Sequence, residues 1–331
     1  MNQTVKLSAL DLATVVSGGN HRTAIERTVR TAQQLEALGY TRIWVAEHHN
    51  MEFIASSATS ILIEHIASKT SSIRVGSGGI MLPNHSPLVI AEQFGTLATI
   101  HPNRIDLGLG RAPGTDQLTA MALRRNNMNG AYQFPQDIQD LQRYLSKENA
   151  SAKVRAFPGE GVDVPLYILG SSTDSSYLAA ELGLPYAFAA HFAPAQLAQA
   201  AKIYRQHFIP STLYPEPYFI CCVNVVAADT TAYAQLLSHS LKNLFASIVT
   251  NTRSPLSPPT LEPIYQGHRD IEAAVASMVS CTFIGDVPKI KSELTEFINE
   301  LAIDELMATT YIYDEDERIH SYKLLKEALE S

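Results

Sequence analysis

Short apolar runs alternate with longer amphipathic stretches along almost the whole chain. The apolar runs predict strands, and the amphipathic stretches, whose period is 3.6 residues, predict helices. The predicted strands lie at residues 5–10, 42–46, 73–82, 104–109, 164–169, 186–190, 218–227 and 305–313. The predicted helical stretches lie at residues 22–38, 57–69, 88–100, 116–147, 175–182, 195–207, 231–248, 287–301 and 317–329.

Strands that alternate with helices predict a parallel sheet with right-handed crossovers. Eight such strands fit a closed barrel better than an open doubly wound sheet. The sequence therefore predicts an α/β fold, a (β/α)8 TIM barrel, in a single domain that spans residues 1–331.

One segment interrupts the alternation. Residues 251–270 are rich in proline, show little apolar periodicity and precede the last βα unit. Loops of this length in a compact barrel are usually either functional lids or disordered insertions. We therefore predict an irregular insertion there, and both a substrate lid and a mobile surface loop stay open.

The composition and charge of the chain argue against several classes of binding partner. The chain has 331 residues, 46% of them hydrophobic, and 25 basic against 33 acidic residues give a net charge of −8. These charges are scattered and form no basic stripe, which argues against nucleic acid and anionic membranes as partners. Three cysteines, two of them adjacent, do not form a disulfide framework. With no basic, apolar leader and no run of about 20 apolar residues, we expect a cytoplasmic protein.

Active sites of such barrels lie at the C-terminal ends of the strands, and the motif Trp44–His49 (WVAEHH) ends the second predicted strand. His48 is the candidate acid, base or hydrogen-bond donor there. Alternatively, Glu47 and the histidines hold loop backbone in place. Neighbouring residues of an extended chain point to opposite faces, so His48 and His49 should not share a metal. No other metal-ligand spacing occurs, so we predict no metal site and disfavour a metal-dependent hydrolase.

Glycine-rich backbone follows in the third strand, where Gly78 and Gly79 belong to the run RVGSGGIMLP. Glycines within a strand mark a bulge or the close approach of backbone to a ligand, so a flat aromatic ring could lie there. Close packing against a neighbouring element explains the same pattern without a ligand.

Two candidates for phosphate binding follow the fourth and fifth strands. Arg111 emerges at a strand end, where its fixed fork of donors suits a phosphate, although a surface salt bridge is the alternative. Ser171, Ser172 and Ser175 belong to a serine-rich helix start after a glycine, and such a start binds anions through its free backbone N–H groups. Ordinary N-capping explains part of that cluster, but we favour a phosphate. Together these four motifs predict a pocket that holds a planar ring at one end and a phosphate at the other.

The runs WVAEHH, VGSGGIMLPNHSP, AEQFGTL, RIDLGLGRAPGTD and LGSSTDSSYLAAELGLPYAFAAHF resemble the bacterial luciferase-like flavin-dependent monooxygenases, and the resemblance extends over residues 7–329. It implies that His48 acts in catalysis beside the flavin. It also implies a non-prolyl cis peptide at Gly78–Gly79 beneath the flavin ring. Arg111 and the three serines then match the residues that bind the phosphate, although Ser171 stands where the luciferase catalytic subunit has a glutamate.

The function that the resemblance implies is an FMN-dependent, two-component monooxygenase. A separate reductase would supply reduced FMN, and oxygen would be transferred to a small apolar organic substrate. Residues 251–270 do not match the luciferase lid, so aldehyde binding and light emission are not expected, and a homodimer is expected rather than a heterodimer. Two alternatives stay open: a deazaflavin-dependent reductase or dehydrogenase, and a flavin-binding protein without turnover.

Overall fold

Nine parallel strands form one sheet in the computed structural model, which describes residues 5–124 and 130–330. The strands are β1 (Lys6–Asp11), β2 (Arg42–Val45), β3 (Arg74–Met81), β4 (Ile105–Gly110), β5 (Leu166–Gly170), β6 (Tyr186–Ala189), β7 (Phe219–Ala227), β8 (Thr282–Gly285) and β9 (Glu305–Thr309). The order β6-β5-β4-β3-β2-β1-β9-β7 closes through pairing of β6 with β7. Eight strands thus form the barrel, and the predicted (β/α)8 fold is confirmed.

Helices cover the outside of this barrel. They are α1 (His21–Ala37), α2 (Thr59–Ala67), α3 (Pro87–Ile100), α4 (Gln117–Arg124), α5 (Gly130–Leu145), α6 (Thr173–Glu181), α7 (Leu197–His207), α8 (Thr231–Val249), α9 (Arg269–Met278), α10 (Val287–Leu301) and α11 (Glu315–Glu330). The start of α1 shows how local sequence sets such bounds. The side chain of Asn20 accepts a hydrogen bond from the Thr23 amide while the Thr23 hydroxyl accepts one from the Asn20 amide, which is a capping box.

The main departures from the predicted elements lie between β7 and β9. The sequence analysis missed α9, which begins at Arg269 within the end of the irregular segment, and β8, which follows α9. β8 has four residues and pairs with the C-terminal half of β7 outside the barrel closure. A strand this short and only partly buried leaves no periodic signal. The predicted helix at residues 116–147 is two helices, α4 and α5, and residues between them lie outside the described part.

The irregular segment packs against the loop that follows β1. Leu256 is buried and forms a parallel bridge with Val16. Its amide donates to the carbonyl of Val15 at 3.0 Å, and its carbonyl accepts from the amide of Ser17 at 2.9 Å. The segment therefore lies beside the mouth of the barrel, and its role as a lid stays a prediction.

A network of buried charges fills the end of the barrel where the strands begin. The guanidinium of Arg42 donates to Asp106 Oδ2 at 2.7 Å, to Glu305 Oε1 at 2.9 Å and to the Tyr167 hydroxyl at 2.6 Å. Trp44 Nε1 donates to the same Asp106 oxygen at 3.1 Å. Charges this deeply buried are tolerated only when they are paired and hydrogen-bonded.

Apolar side chains form the next layer of the barrel interior. They include Leu10, Trp44, Ala46, Ala187, Ile220, Cys222 and Met307. This layer lies between the charged network and the rim formed by the C-terminal ends of the strands.

The substitution Arg42→Met tests the charged layer. We expect it to lower the free energy of unfolding by about 3–5 kcal/mol, because the buried Glu305 loses its arginine and Asp106 loses one of the two arginines that pair with it. Chemical denaturation followed by fluorescence measures the loss, since Trp44, the single tryptophan, lies in the adjoining layer. The control Arg22→Met removes an exposed pair with Glu26 and should change little. Equal unfolding midpoints for the two variants would contradict a stabilising role of the layer.

Candidate active site

The candidate residues come together on one rim because they follow adjacent strands. His48 follows β2, Gly78 and Gly79 lie in β3, Arg111 follows β4, and the serines follow β5. These four strands are neighbours in the barrel. The grouping predicted from the sequence is therefore present as a continuous arc of the rim.

The buried carboxylate of Glu47 joins the loops after β2 and β3. It binds the ring of His49 through Nε2 at 2.8 Å and the ring of His85 through Nε2 at 2.9 Å. It also accepts from the amide of Met81 at 3.1 Å. Burial opposes ionisation of Glu47, but the hydrogen bonds from the two histidines and Met81 hold its pKa at about 2. Glu47 and His49 thus hold loop backbone, as the alternative interpretation of this motif proposed.

His48 has a different environment. Its backbone amide donates to Ser56, and its Nδ1 is buried without a hydrogen-bond partner among the described residues. Burial lowers the pKa of His48 to about 4, so the ring is neutral at pH 7. His48 also lines a cleft of about 610 Å³ together with His21, Asn50 and Arg253 of the irregular segment. Neither the two glycines nor Arg111 is among the residues that line this cleft.

The peptide Gly78–Gly79 is cis, as the family resemblance implied. The β3–β4 register shifts between Ser77 and Ile80, so the two glycines form a bulge. A Cβ on Gly78 would lie 2.7 Å from Leu10 Cδ1, and one on Gly79 would lie 2.7 Å from the Gly108 carbonyl oxygen. Close packing alone therefore requires both glycines. It also leaves the rim at this bulge as bare peptide, which is the surface a planar ring needs.

Arg111 points toward the first turn of α6. Its Nη2 lies 3.5 Å from Asp174 Oδ2, with 49% and 73% of the two side chains exposed. The salt bridge considered as the alternative is therefore present, but exposed ion pairs of this kind are weak. An anion bound at the end of α6 would compete with Asp174 for the same guanidinium.

The serines at the start of α6 have separate roles. Ser172 is the N-cap residue, and its side chain makes no capping hydrogen bond. Ser175 Oγ donates to the Ser172 carbonyl at 2.7 Å and is 2.9 Å from the Tyr186 hydroxyl. Ser171 lies between the end of β5 and this cap. The Ser172 hydroxyl is therefore not used to cap the helix, whereas the Ser175 hydroxyl is hydrogen-bonded within the turn.

Residues 5–124 and 130–330 contain no group of three or more histidine, cysteine, aspartate or glutamate side chains that could hold a metal ion. Among the helices that the structure describes, none has the length and apolar character needed to cross a membrane.

The sequence profile of the luciferase-like monooxygenases matches residues 6–275. The chain belongs to this family. A luciferase-like monooxygenase of Escherichia coli (strain K12) is 43% identical over 329 residues, covering 99% of this chain and 98% of the relative. An N-acetyl-S-alkylcysteine monooxygenase of Bacillus subtilis (strain 168) is 30% identical over 334 residues and covers 98% of both chains. The crystal structure of apo-MsnO8 is 33% identical, with a TM-score of 0.88 and 98% coverage of both chains.

The substitution Glu47→Gln tests the carboxylate that joins the two loops. We expect it to lower stability at pH 7 by about 2–3 kcal/mol, because a carboxylate with a depressed pKa stabilises the folded state above its unfolded pKa. This difference from the wild type should shrink as the pH falls from 4.5 toward 2, since the wild-type carboxylate then binds a proton. Urea denaturation at pH 7, 5, 4 and 3 measures it.

The control for this experiment is Glu64→Gln, which removes a more exposed carboxylate that binds one histidine, His101, at 2.9 Å. This variant should cost far less stability than Glu47→Gln. A stability difference for Glu47→Gln that stays the same at every pH would show that the charge of Glu47 does not hold the loops.

Proposed function

We propose that this chain is an FMN-dependent monooxygenase of the two-component type. A separate flavin reductase supplies reduced FMN, and one oxygen atom of O2 is transferred to a small apolar organic substrate. Family membership makes the chain an oxidoreductase. One observation supports the finer assignment: the glycine bulge of β3 and the cationic start of α6 lie on the same arc of the rim, separated by one strand.

The phosphate of FMN would be held where Arg111 meets α6. The N-terminal turn of a helix presents unpaired N–H groups and a partial positive charge, which favour an anion. Ser172 adds a hydroxyl that makes no capping bond, and Arg111 adds a guanidinium held by only a weak, exposed pair. These residues fit a phosphate group. Ser175 contributes by fixing the turn through Ser172 and Tyr186.

The ring end would lie over Gly78–Gly79, where neither residue carries a side chain of its own. Reduced FMN, when bound, supplies the electrons that activate oxygen, while the protein contributes position and exclusion of water. His48 is neutral at pH 7 and carries a buried nitrogen that has no partner within residues 5–124 and 130–330. We assign it the exchange of a hydrogen bond or proton with the reacting oxygen.

We propose further that the chain acts as a homodimer. Large apolar side chains are exposed on α2 and α3, where Ile61 is 71%, Val89 43% and Ile100 56% exposed. Exposed apolar groups on adjacent helices favour an interface with another protein surface.

Substitution of Arg111 tests the phosphate end. We expect Arg111→Met to weaken FMN binding by about 10-fold to 100-fold, because a charge-assisted hydrogen bond to phosphate is lost. Binding of riboflavin, which has no phosphate, should not change. Fluorescence titration with both compounds measures the effect. Arg143→Met is the matched control, since Arg143 is 57% exposed and also pairs with one aspartate. An equal loss of FMN and riboflavin affinity, or stronger binding of a deazaflavin than of FMN, would contradict this assignment.

Substitution of His48 tests the chemistry. With reduced FMN, 18O2 and a panel of small thioethers, aldehydes and ketones, the wild type should place one labelled atom in a product. We expect His48→Ala to divert at least about 90% of the consumed oxygen to hydrogen peroxide, since acid–base groups commonly contribute 100-fold or more, with FMN affinity little changed. Product and peroxide yields measure this coupling, and His207→Ala on the exposed end of α7 is the control. Absence of labelled product from every class would contradict the monooxygenase.

A further inference from the structure

The cleft of about 610 Å³ beside His48 has the volume of a small-molecule binding site. It is lined by the loop after β2, by the start of α1 and by Arg253 of the irregular segment. The roles proposed for Arg111, the serines and the two glycines assign this cleft no ligand. A molecule bound in it would nevertheless contact His48, the residue to which we assign the chemistry.

Backbone hydrogen bonds hold the walls of this cleft in place. The amide of Val15 donates to the Phe53 carbonyl at 2.9 Å, and the carbonyl of Val15 accepts from the Leu256 amide at 3.0 Å. The amide of Ala55 donates to the Ala13 carbonyl at 3.0 Å. Residues 13–17 therefore join the loop after β2 to the irregular segment, and the two walls are fixed relative to each other.

Asn50 positions the guanidinium of Arg253. Arg253 Nη1 donates to the Asn50 carbonyl at 3.1 Å, and Asn50 Nδ2 donates in turn to Asp116 Oδ2 at 3.1 Å. The backbone of Arg253 is left-handed, with φ of 42°, a conformation that residues with long side chains rarely adopt. The contact with Asn50 thus fixes this guanidinium at the cleft.

Most of the donors of Arg253 are not used by the protein. A guanidinium has five N–H donors, and the Asn50 carbonyl is its hydrogen-bond acceptor here. Nε and Nη2 make no hydrogen bond within residues 5–124 and 130–330, and no carboxylate of those residues pairs with Arg253, in contrast to Arg111, which pairs with Asp174. The edge formed by Nε and Nη2 matches the two oxygens of a carboxylate.

The charges of the lining favour a ligand with a single negative charge. Arg253 is the one arginine or lysine, and Glu52 the one acidic residue, among the described residues that line the cleft. The backbone carbonyl of Glu52 lies 2.8 Å from His21 Nε2. Because a doubly charged phosphate is repelled by an acidic neighbour more strongly than a carboxylate is, this lining fits a carboxylate better.

Apolar side chains form much of the remaining lining. They are Ile25, Met51, Ile54 and Ala55, and each is only half-buried. A hydrocarbon body that covers their exposed surface would gain hydrophobic free energy. The cleft therefore combines one fixed cation with an apolar wall.

We propose that Arg253 binds a carboxylate of the organic substrate, with the apolar body of the substrate against Ile25, Met51 and Ile54. This inference deepens the proposed function and rests on it, since it makes the ligand of the cleft the molecule that is oxygenated beside His48. The substrate class is a short-chain organic acid that is apolar apart from one carboxylate. Arg253 is then a specificity-determining residue.

Hexanoate and hexanamide are the test probes, because they share the apolar body and the planar end group and only hexanoate is charged. NMR of the methionine methyl groups follows both titrations, with the Met51 signal assigned by its loss in Met51→Leu. We expect wild type to bind hexanoate about 5-fold to 10-fold more tightly than hexanamide, and both probes to shift the Met51 signal.

Arg253→Met should remove this preference and leave the affinity for hexanamide unchanged, which shows that the cleft is intact. Arg253→Lys should keep part of the preference, because it retains the charge but not the fork of donors. Arg269→Met is the matched control, since it removes the same charge from an exposed arginine outside the cleft lining. Equal affinity of wild type for the two probes, binding of neither, no shift of Met51, or a preference that survives Arg253→Met would overturn the subsite.

Titrations of flavin separate this inference from the proposed function. Arg253→Met should leave the affinities for FMN and riboflavin unchanged, whereas a selective loss of FMN affinity would assign Arg253 to the flavin phosphate and overturn the subsite. Failure of wild type to bind FMN would contradict the proposed function. The ratio of hexanoate to hexanamide affinity in flavin-free protein would still decide the subsite, because its residues belong to the chain itself.

Discussion

The carboxylate of Glu47 is the contact on which the candidate site depends. It lies below the rim, and hydrogen bonds from His49, His85 and the Met81 amide converge on it. Loops at a barrel rim have little apolar surface of their own to bury, so a charged hydrogen-bond centre must hold them. This centre fixes the loop after β2, which carries His48, relative to the C-terminal end of β3, the strand that contains the cis peptide. Loss of the charge would free both loops at once.

The barrel and the place of its site could be predicted from the sequence because parallel strands buried on both faces form continuous apolar runs. β7, with the sequence FICCVNVVA, is buried at every position. Once the strands are located, the rule that chemistry lies after their C-terminal ends selects His48 and Arg111 without further information. The cis peptide was predicted from the family resemblance, since a pair of glycines alone does not distinguish a bulge from close packing.

Contacts between distant positions could not be predicted in this way. Glu47 and His85 lie 38 positions apart, and Arg42 and Glu305 lie 263 apart. No periodicity links such pairs, and only the closure of the barrel brings them together. β8 was missed because four partly buried residues carry too little pattern.

The two ends of the barrel differ in how far their buried polar groups are hydrogen-bonded. Where the strands begin, Arg42, Asp106 and Glu305 satisfy one another, and the result is a rigid, closed floor. Where the strands end, His48, His191 and Asn224 each retain an atom with no partner in the part of the chain that the structure describes. Unpaired buried groups destabilise a fold by about 1–3 kcal/mol each, so the chain would be more stable with apolar residues there. A ligand bound at the rim would supply partners of this kind, whereas the paired charges of the floor offer it none.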